Sequence, residues 1–461
     1  MLLSDKIFRA YDIRGKAYED FDAEGFYCIA KAFGLYEQSK LQASKPIKFF
    51  VSGDGRQSMH DLFPAVVNGL ISAGCDVVVG GEITTPMNYY AFHEGNFDAS
   101  IQLSASHNPW YDNGLKLHDR SGSVCGNEIQ DIKEMAQKIS AEEIQLIEQE
   151  NAPYTFYDNY LQKLKSIVPS QKKLKIVLDA GNGITGKWYP QIIRAFGHDV
   201  IELFCELDTR FPNHQPDPEE IENLTAAKAK VLQERADLGL VFDGDGDRVG
   251  IILADGTCLN ADKINFVLAA DFLGRNPGEK IIYDVMSSSV LIKKVTAIGG
   301  KPIQCPTGHS YIEEAMKEHK ALLGGEQSGH FMFGENFFGH DDAALACLRF
   351  ISSIESNPEL ILEVTNRWDQ LQEFSQKFEV ADEEKFKILE KVVASLLNIY
   401  PESNTADGIR IDYNDLEWAI IRCSNTSPKI SMRVEALNFE SLETKKEEIL
   451  EIFEAIAAQK A

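Results

Sequence analysis

The sequence is poor in basic residues relative to acidic ones. It has 46 lysines and arginines against 71 aspartates and glutamates, which gives a formal net charge of −25 at pH 7. This shortage argues against binding to nucleic acid or to acidic membranes, because both require a basic surface. An anionic substrate would need a local positive pocket, and the candidate residues for it are Arg9, Arg14, Lys116, Arg248 and Arg422.

Several common sequence patterns are missing. The eight cysteines form no CxxC pair and no zinc-like cluster, so we expect free thiols in a reducing compartment. No apolar run approaches the length of a membrane span, and the N-terminus turns polar within four residues, unlike a signal peptide. These absences predict a cytoplasmic protein that does not bind membranes.

The chain has 461 residues, which is too long for one hydrophobic core. Apolar runs alternate with amphipathic helical stretches in three successive segments that start near residues 47, 174 and 280, a pattern typical of α/β domains with parallel or mixed sheets. After about residue 370 the pattern indicates antiparallel strands and a terminal helix, hence a small α+β domain. The predicted domains are residues 1–150, 151–255, 256–368 and 369–461.

An unusual loop follows the third predicted strand of each α/β segment. These loops are residues 104–109, 243–248 and 324–330, the last of them after a strand predicted at residues 321–323. Ligands of open α/β sheets bind beyond the carboxyl ends of the strands. We therefore expect the three loops to converge on one cleft between domains.

Three aspartates, Asp243, Asp245 and Asp247, alternate with glycines in the second loop. Carboxylates crowded into one tight connection repel one another unless a cation is present, and oxygen ligands suit Mg²⁺ or Ca²⁺. A calcium EF-hand is excluded, because its sixth and twelfth positions would be Arg248 and Ala254 instead of Gly and Glu. The remaining alternative is a solvated acidic turn.

The first loop places Ser106 and His107 where a strand is predicted to end, and Pro109 disfavours a helix there. This loop can present the Ser106 hydroxyl for chemistry, but a polar turn is an equal alternative. A Ser-His hydrolase is a further alternative, although the G-x-S-x-G elbow is missing. A following Asn-Gly turn can bring Lys116 back towards Ser106, to pair with phosphate or relay a proton, unless it is simply a surface lysine.

The third loop combines flexible glycines with Glu326, Ser328 and His330. These side chains together donate and accept hydrogen bonds, as sugar hydroxyls do, so the loop is a candidate sugar site. A glycine-rich turn is the alternative.

A fourth polar loop lies between two predicted strands of the C-terminal domain. It combines Arg422 with Ser424, Asn425 and Thr426. A guanidinium binds phosphate through two hydrogen bonds, and the small polar residues add neutral donors. A capped turn with an incidental arginine is the alternative.

A glycine-rich segment at residues 181–188 fits two nucleotide-binding patterns incompletely. The P-loop pattern requires Ser or Thr where Trp188 stands. The dinucleotide pattern G-x-G-x-x-G is present, with Glu202 at about the distance of a ribose-binding acid, but this pattern alone is weak evidence. An NAD-dependent enzyme therefore stays open as a minor alternative.

Five segments together resemble the α-D-phosphohexomutase superfamily and, within it, the phosphomannomutase/phosphoglucomutase group. They are residues 8–15 (FRAYDIRG), 104–109 (SASHNP), 243–248 (DGDGDR), 325–330 (GEQSGH) and 422–428 (RCSNTSP). They occur in order and span nearly the whole chain. The resemblance implies three similar α/β domains and a fourth domain of TATA-binding-protein-like fold around a central cleft.

The resemblance also implies roles for individual residues. Ser106 is expected to carry a phosphate and, as phosphoserine, to bind one Mg²⁺ together with Asp243, Asp245 and Asp247. The remaining implied site residues fall into three groups. Arg248 would offset charge on the transferring phosphate, with Tyr11 and Arg14 lining the cleft near Ser106 as further catalytic residues; Lys116, His330 and His309 would relay protons; and Arg9, His107, Glu326, Ser328, His330, Arg422, Ser424, Asn425 and Thr426 would bind substrate.

The implied reaction interconverts hexose 6-phosphate and hexose 1-phosphate through a hexose 1,6-bisphosphate, in a monomer or weak homodimer. Two departures from the group's pattern bear on phosphate binding: Ser427 stands where Glu is usual, and Met286 where some members have lysine. Mannose and glucose are the expected sugars, but residues 325–330 also resemble phosphoglucosamine mutases. The same residues would also suit a sugar phosphatase or phosphotransferase, or a non-enzymatic sugar-phosphate binding protein.

Overall fold

A computed structural model describes residues 2–140, 154–169, 172–425 and 428–458, except the side chains of residues 382 and 383. The chain separates into two compact units. The first contains Met1–Asn260 and Ser328–Ser356, and the second contains Ala261–Gln327 and Asn357–Ala461. Each unit is therefore built from two stretches of the chain.

The strands and helices of the described residues are numbered in chain order. The strands are β1 (Ile13–Lys16), β2 (Lys48–Gly53), β3 (Asp76–Glu82), β4 (Ala99–Leu103), β5 (Asp112–Asp119), β6 (Gly122–Ser123), β7 (Lys175–Asp179), β8 (Asp199–Leu203), β9 (Leu238–Phe242), β10 (Val249–Leu253), β11 (Cys258–Leu259), β12 (Lys280–Asp284), β13 (Lys301–Cys305), β14 (Leu323–Gly325), β15 (Phe331–Phe333), β16 (Gln372–Glu379), β17 (Ile409–Asp412), β18 (Trp418–Cys423) and β19 (Lys429–Ala436). The α-helices are α1 (Ala23–Lys40), α2 (Met59–Ser72), α3 (Thr85–Glu94), α4 (Asn127–Lys138), α5 (Tyr157–Ile167), α6 (Thr185–Ala195), α7 (Thr225–Glu234), α8 (Ala261–Arg275), α9 (Ser289–Ala297), α10 (His309–His319), α11 (Ala343–Ser356), α12 (Glu359–Thr365), α13 (Asp382–Leu397) and α14 (Phe439–Ala458).

The first unit contains two mixed sheets. The order of the first is β1-β5-β4-β2-β3, with β6 on β5, and the order of the second is β11-β10-β9-β7-β8. In both sheets the central strands pair in parallel and the later strands return antiparallel. The parallel strands are continuous apolar runs because helices cover both faces: Phe49, Phe50 and Val51 of β2 are all 0% exposed.

The second unit contains parallel pairs of β12 with β13 and with β14, and an antiparallel sheet of order β16-β19-β18-β17. Two arginines of the antiparallel sheet hold the turn that follows β12. Arg410 donates to the carbonyl oxygens of Val285 and Ser287 at 2.7 Å each, and Arg433 donates to that of Met286 at 2.8 Å. These bonds join the sheets within this unit.

The predicted fold class is confirmed: three α/β regions with mixed sheets precede a C-terminal region of sheet and helices. One local expectation needed correction: the strand predicted at residues 321–323 is Leu323–Gly325. Helix α13, which begins at Asp382, was not predicted. Residues 141–153 lie outside the described ranges.

Strand β16 was not predicted. It lies at the edge of the C-terminal sheet, and most of its residues are exposed, so it has no apolar alternation to reveal it. The expected free thiols are confirmed for all eight cysteines. Within the described ranges, no helix is both long and apolar enough to cross a bilayer.

A buried carboxyl group on helix α1 makes stability depend on pH. Glu37 is 1% exposed, and burial together with the neighbouring Asp119 raises its pKa from 4.5 to about 8. The folded state therefore keeps the proton over a pH range in which the unfolded state has lost it. By linkage, the free energy of unfolding falls as the pH rises from about 4.5 to 8.

We predict that Glu37→Gln, which mimics the protonated acid, raises Tm at pH 8.5 and leaves it nearly unchanged at pH 5. Calorimetry at both pH values measures the difference. The matched control is Glu134→Gln, whose side chain is 71% exposed and which should leave the pH profile unaltered. Equal Tm differences for Glu37→Gln at the two pH values would contradict the assignment.

Candidate active site

The three predicted aspartates lie in the hairpin between β9 and β10. These strands pair antiparallel, with Phe242 opposite Val249, so residues 243–248 form their connection. Asp243, Asp245 and Asp247 are 0%, 0% and 1% exposed, and one carboxylate oxygen from each lies within 4.8 Å of the others. The alternative of a solvated acidic turn is therefore wrong.

Lys116 supplies the positive charge nearest these carboxylates. Its Nζ lies 2.7 Å from Asp245 Oδ2 and also contacts Asp247. Burial acts to lower the pKa of Lys116, but Asp245 and Asp247 raise it well above its usual value. The lysine is 6% exposed, so the alternative of a surface lysine is also wrong. Lys116 remains charged beside the aspartates.

The positive charge of Lys116 affects the pKa values of the three carboxyl groups to different extents. Burial and the other two aspartates raise the pKa of Asp243 well above its usual value. Burial and Asp247 act in the same direction on Asp245, but Lys116 brings its pKa down to about 2. Burial also opposes ionisation of Asp247, whereas Lys116 and His330 lower its pKa well below the ordinary range. Lys116 therefore offsets the charges of Asp245 and Asp247, whereas Arg248 is the cation that approaches Asp243.

The aspartate group fits a hard divalent cation. All of its ligand atoms are carboxylate oxygens, as Mg²⁺ prefers. Among the described residues, the buried Asp245 Oδ1 has no hydrogen-bond partner, while Asp245 Oδ2 accepts from Thr85 Oγ1 at 2.6 Å. A buried carboxylate oxygen without a partner is costly unless a cation binds it.

Ser106 lies directly beside the aspartate hairpin. Its hydroxyl donates to Asp243 Oδ2 at 2.6 Å, and its Oγ lies 3.2 Å from His107 Nδ1. The backbone of Ser106 has φ of 50°, in the left-handed region, which costs a residue with a side chain about 1–3 kcal/mol. The surrounding contacts therefore impose the conformation that presents this hydroxyl to the carboxylates.

His107 stays neutral in this environment. Burial and the neighbouring Arg248 lower the pKa of His107, with Asp217 opposing them. Its Nε2 lies 3.9 Å from Asp217 Oδ2. The imidazole next to Ser106 is therefore able to accept a hydrogen bond as well as to donate one.

Arg248 leaves the hairpin and turns its guanidinium back towards Asp243. Its Nε lies 3.4 Å from Asp243 Oδ2, and its Nη1 lies 3.2 Å from Asp217 Oδ1. Its Nη2 is buried and has no hydrogen-bond partner among the described residues. A buried donor of this kind indicates space for an anion close to Ser106.

His330 reaches the same group from the second stretch of the first unit. An isolated β-bridge pairs it with Arg248. Its Nε2 lies 3.2 Å from Asp247 Oδ1 and 3.9 Å from Asp341 Oδ2, and its Nδ1 lies 3.0 Å from Ser328 Oγ. The structure thus brings two residues of the predicted sugar loop to the aspartate hairpin.

The N-terminal residues of the predicted site also lie in the first unit. Arg14 donates to Asn108 Oδ1 at 3.3 Å and lies 2.8 Å from Asp12 Oδ2. This places its guanidinium against the loop that carries Ser106. Tyr11 and Arg9 are both half-buried.

The remaining predicted residues lie in the second unit. Glu326, at the end of β14, is 4% exposed and interacts with the buried Asp284. His309 is the first residue of helix α10 and is 7% exposed. The predicted sugar loop is therefore divided between the two units, since its last residues belong to the first.

The predicted phosphate loop is held by residues of its own unit. Arg422 Nε lies 2.6 Å from Asp407 Oδ2, and Asn425 Nδ2 donates to the carbonyl oxygen of Thr307 at 2.9 Å. Ser424 donates its backbone N–H to the carbonyl oxygen of Lys429 at 2.9 Å. Thr426 and Ser427 lie outside the described residues.

Met286, at the other departure from the group's pattern, packs against Val285, Trp418 and Ile420. It is a partly buried apolar contact and offers no charge for phosphate.

The glycine-rich segment at residues 181–188 packs against the aspartate hairpin. A Cβ at Gly183 would lie 2.7 Å from the carbonyl oxygen of Gly244, and a Cβ at Gly186 would lie 2.1 Å from that of Cys205. Close approach to the protein's own backbone thus accounts for both glycines. The geometry gives no support to a nucleotide-binding role for this segment.

Three residues at the site were not predicted. Thr85 binds Asp245 through its hydroxyl and its backbone N–H, Asp217 contacts Arg248, and Asp341 lies near His330. Thr85 had a usable signal, because the sequence Thr-Thr-Pro is typical of a helix start. Asp217 and Asp341 act through contacts distant in sequence, which no local pattern indicates.

Comparison with known proteins supports the resemblance. Family models match three successive regions: phosphoglucomutase/phosphomannomutase alpha/beta/alpha domain I at residues 5–143, domain II at 156–256 and domain III at 260–371. A phosphomannomutase/phosphoglucomutase of Pseudomonas aeruginosa is 37% identical, over 96% of this chain and 94% of that protein. A phosphoglucomutase of Neisseria gonorrhoeae is 33% identical, over 93% of each chain.

A solved structure extends the likeness to the whole fold. The crystal structure of a phosphoglucomutase/phosphomannomutase family protein from Burkholderia thailandensis matches with a TM-score of 0.87 and 31% identity, over 99% of this chain and 98% of that one. The fold is that of an isomerase acting on sugar phosphates. The chain belongs to the phosphoglucomutase/phosphomannomutase family.

A substitution at Gly244 tests the contact between the hairpin and the serine loop. A Cβ at Gly244 would lie 2.4 Å from the carbonyl oxygen of Ser106 and would displace it. We predict that Gly244→Ala lowers kcat for hexose-phosphate isomerisation by roughly 100-fold, because such displacements disrupt reacting geometry. The control is Gly274→Ala on helix α8, where a Cβ meets nothing within 4 Å. Unchanged kcat in Gly244→Ala would contradict the prediction.

Proposed function

We propose that the enzyme interconverts hexose 6-phosphate and hexose 1-phosphate, with mannose or glucose as the sugar, through a phosphate carried by Ser106. The observation that carries the proposal is the Ser106 hydroxyl, which lies 2.6 Å from Asp243 Oδ2, the same oxygen that the buried Arg248 approaches through Nε at 3.4 Å. The phosphoserine donates its phosphoryl group to the sugar phosphate. The resulting hexose 1,6-bisphosphate reorients at the site and returns its other phosphoryl group to Ser106.

The side chains around Ser106 suit this transfer. Charge spreads over the oxygens of the phosphoryl group as it moves, so catalysis depends on positioned cationic donors. Arg248 offers the buried Nη2 donor, and Arg14 approaches the same loop at Asn108. Tyr11 is proposed to line the site near Ser106, as Arg14 does.

Asp243, Asp245 and Asp247 are proposed to hold one Mg²⁺, with the phosphate of phosphoserine 106 as a further ligand. When bound, the ion would offset negative charge on the transferring group. Asp243 Oδ2 also orients the serine, because it accepts the hydrogen bond from Ser106 Oγ.

Proton transfer to and from the sugar hydroxyls requires groups near the aspartate hairpin. His330 is our first candidate, because its Nε2 lies beside Asp247 while Ser328 holds its Nδ1. Lys116 and His309 are the next candidates. In the first unit Lys116 also compensates the charges of Asp245 and Asp247.

The remaining residues are proposed to bind the substrate. Arg422 is proposed to bind the phosphate that is not being transferred, because its buried guanidinium matches phosphate geometry. Its proposed partners there are Ser424, Asn425 and Thr426. The residues proposed to bind the sugar and its nearer phosphate are Glu326, Ser328, His330, Arg9 and His107.

Mannose and glucose are the proposed sugars because relatives that match along nearly the whole chain carry both names. The four predicted domains with their boundaries, the cytoplasmic location and a monomeric or weakly dimeric state stay predictions. So does the exclusion of nucleic acid and membrane as partners.

Replacing Ser106 tests the proposed function. With a trace of hexose 1,6-bisphosphate, we expect the native enzyme to convert mannose 1-phosphate and glucose 1-phosphate to their 6-phosphates and to carry one phosphate on Ser106 by intact mass. Ser106→Ala should lack the phosphate and lose at least about 1000-fold in kcat, because the phosphoryl acceptor is removed. The control is Ser166→Ala, whose exposed hydroxyl donates to the Lys163 carbonyl oxygen of its own helix at 2.7 Å.

Different products would identify a different activity. Release of inorganic phosphate instead of the isomer would indicate a phosphatase, and faster turnover of glucosamine phosphates would indicate a phosphoglucosamine mutase. Full activity in Ser106→Ala would refute the proposal.

Metal removal tests the proposed Mg²⁺ site. We predict that a chelator lowers kcat at least about 100-fold and that Mg²⁺ restores it, because charge compensation at the phosphoryl group is lost without the ion. Asp245→Asn should weaken Mg²⁺ binding in calorimetric titration, whereas Asp255→Asn, at an exposed turn, should not. Activity insensitive to chelation would contradict the assignment.

A further inference from the structure

Arg56 is a buried arginine whose function the sequence did not suggest. It lies between β2 and α2 and is 2% exposed. Its Nε lies 3.2 Å from Asp54 Oδ2, and its backbone N–H donates to Asp54 Oδ1 at 3.1 Å. The carboxylate therefore compensates the guanidinium charge and fixes one edge of it.

The other edge of the guanidinium binds the backbone of the serine loop. Nη1 donates to the carbonyl oxygens of Pro109 and Asp112 at 2.7 and 2.9 Å, and Nη2 donates to those of Ser106 and Asn108 at 2.7 and 2.8 Å. One side chain thus binds four carbonyl groups within seven residues. Only arginine has enough donors in a planar arrangement to do this together with a carboxylate.

The Asp54–Arg56 pair holds Ser106 on both sides. Arg56 binds the Ser106 carbonyl oxygen on one side. On the other side, Asp54 Oδ2 accepts from Ser104 Oγ at 2.8 Å, and Ser104 Oγ accepts from the Ser106 backbone N–H at 2.8 Å. The pair is thereby connected to the N–H and the C=O of the residue proposed to carry the phosphate.

This connection matters because the Ser106 backbone is strained. Its φ of 50° is one that residues with side chains adopt only when their surroundings enforce it. A relaxed backbone would turn the hydroxyl away from Asp243. The ring of Phe211 covers the guanidinium, with its centroid 5.3 Å from Arg56 Cζ, and helps keep it in place.

We infer that Arg56 is a positioning residue that holds the backbone of residues 106–112 in place and thereby keeps Ser106 in the strained conformation required for phosphoryl transfer. It acts through the loop backbone and does not touch the reacting atoms. The inference rests on the proposed function only in assigning phosphoryl transfer to Ser106. The conformational claim stands on the hydrogen bonds alone.

The test replaces Arg56 with lysine, which keeps the charge but cannot reach all four carbonyl groups. We expect kcat to fall at least about 10-fold with KM within about 3-fold of the native value, because loop placement and not substrate binding is affected. Hydrogen exchange of peptides covering residues 104–112 should accelerate about 10-fold, while peptides from β7 and β9 keep their protection.

The matched control is Arg120→Lys. Arg120 also bonds a carboxylate and a carbonyl group, at Asp98 and Asn96, but its side chain is 49% exposed. The Arg120→Lys variant should change neither kcat nor the hydrogen exchange of residues 104–112. If Arg56→Lys does not fold, Phe211→Leu replaces it in the test. Its kcat should fall about 3-fold with the same pattern of exchange, because the guanidinium keeps its hydrogen bonds and loses only the aromatic ring that packs over it.

The outcomes separate this inference from the proposed function. Native kcat and native protection of residues 104–112 in the variant would overturn the inference, as would faster exchange spread over the whole first unit. If the native enzyme carries no phosphate and does not isomerise sugar phosphates, the proposed function fails. The exchange data would then still decide whether Arg56 holds the loop.

Discussion

The first unit depends on one buried charge contact, between Lys116 and the carboxylates of Asp245 and Asp247. The lysine belongs to β5 of the first sheet, whereas the aspartates lie on the hairpin of the second. Removing one partner of a buried ion pair costs about 3–5 kcal/mol, because the other charge is left without compensation. Thr85 adds a hydroxyl bond from the first sheet region to Asp245, and Ser104 Oγ, whose proton faces both Asp54 and Asp245, lies 2.9 Å from Asp245 Oδ2. The relative placement of the serine loop and the aspartate hairpin follows from this contact.

Sequence patterns predicted the fold where a segment's own periodicity decides its structure. The central strands Ala99–Leu103 and Leu238–Phe242 end where predicted, directly before the first and second loops, because each is a continuous run buried on both faces. Patterns failed where periodicity was weak. The exposed strand Gln372–Glu379 has little apolar character, and helix Asp382–Leu397 begins with a run of charged residues.

The candidate site was predictable where its residues share one loop or follow corresponding strands of similar sheets. Asp243, Asp245 and Asp247 lie within one hairpin, and the rule for strand ends correctly placed Ser106 beside them. The contact of Lys116 with Asp245 and Asp247 was not predictable, because the lysine belongs to the first sheet and the aspartates to the hairpin of the second. Arg56 was missed for a related reason: its acceptors are backbone oxygens, which have no sequence signature.

The division of the first unit into Met1–Asn260 and Ser328–Ser356 has a consequence for how the protein is made. The ribosome delivers both mixed sheets before the second stretch exists. Tyr160 then lacks the Asp342 carboxylate that its buried hydroxyl binds at 2.8 Å, and Asp247 lacks His330. The first unit therefore cannot finish folding until the intervening Ala261–Gln327 stretch of the second unit and its own second stretch have been translated. During that interval its incomplete core is exposed to aggregation.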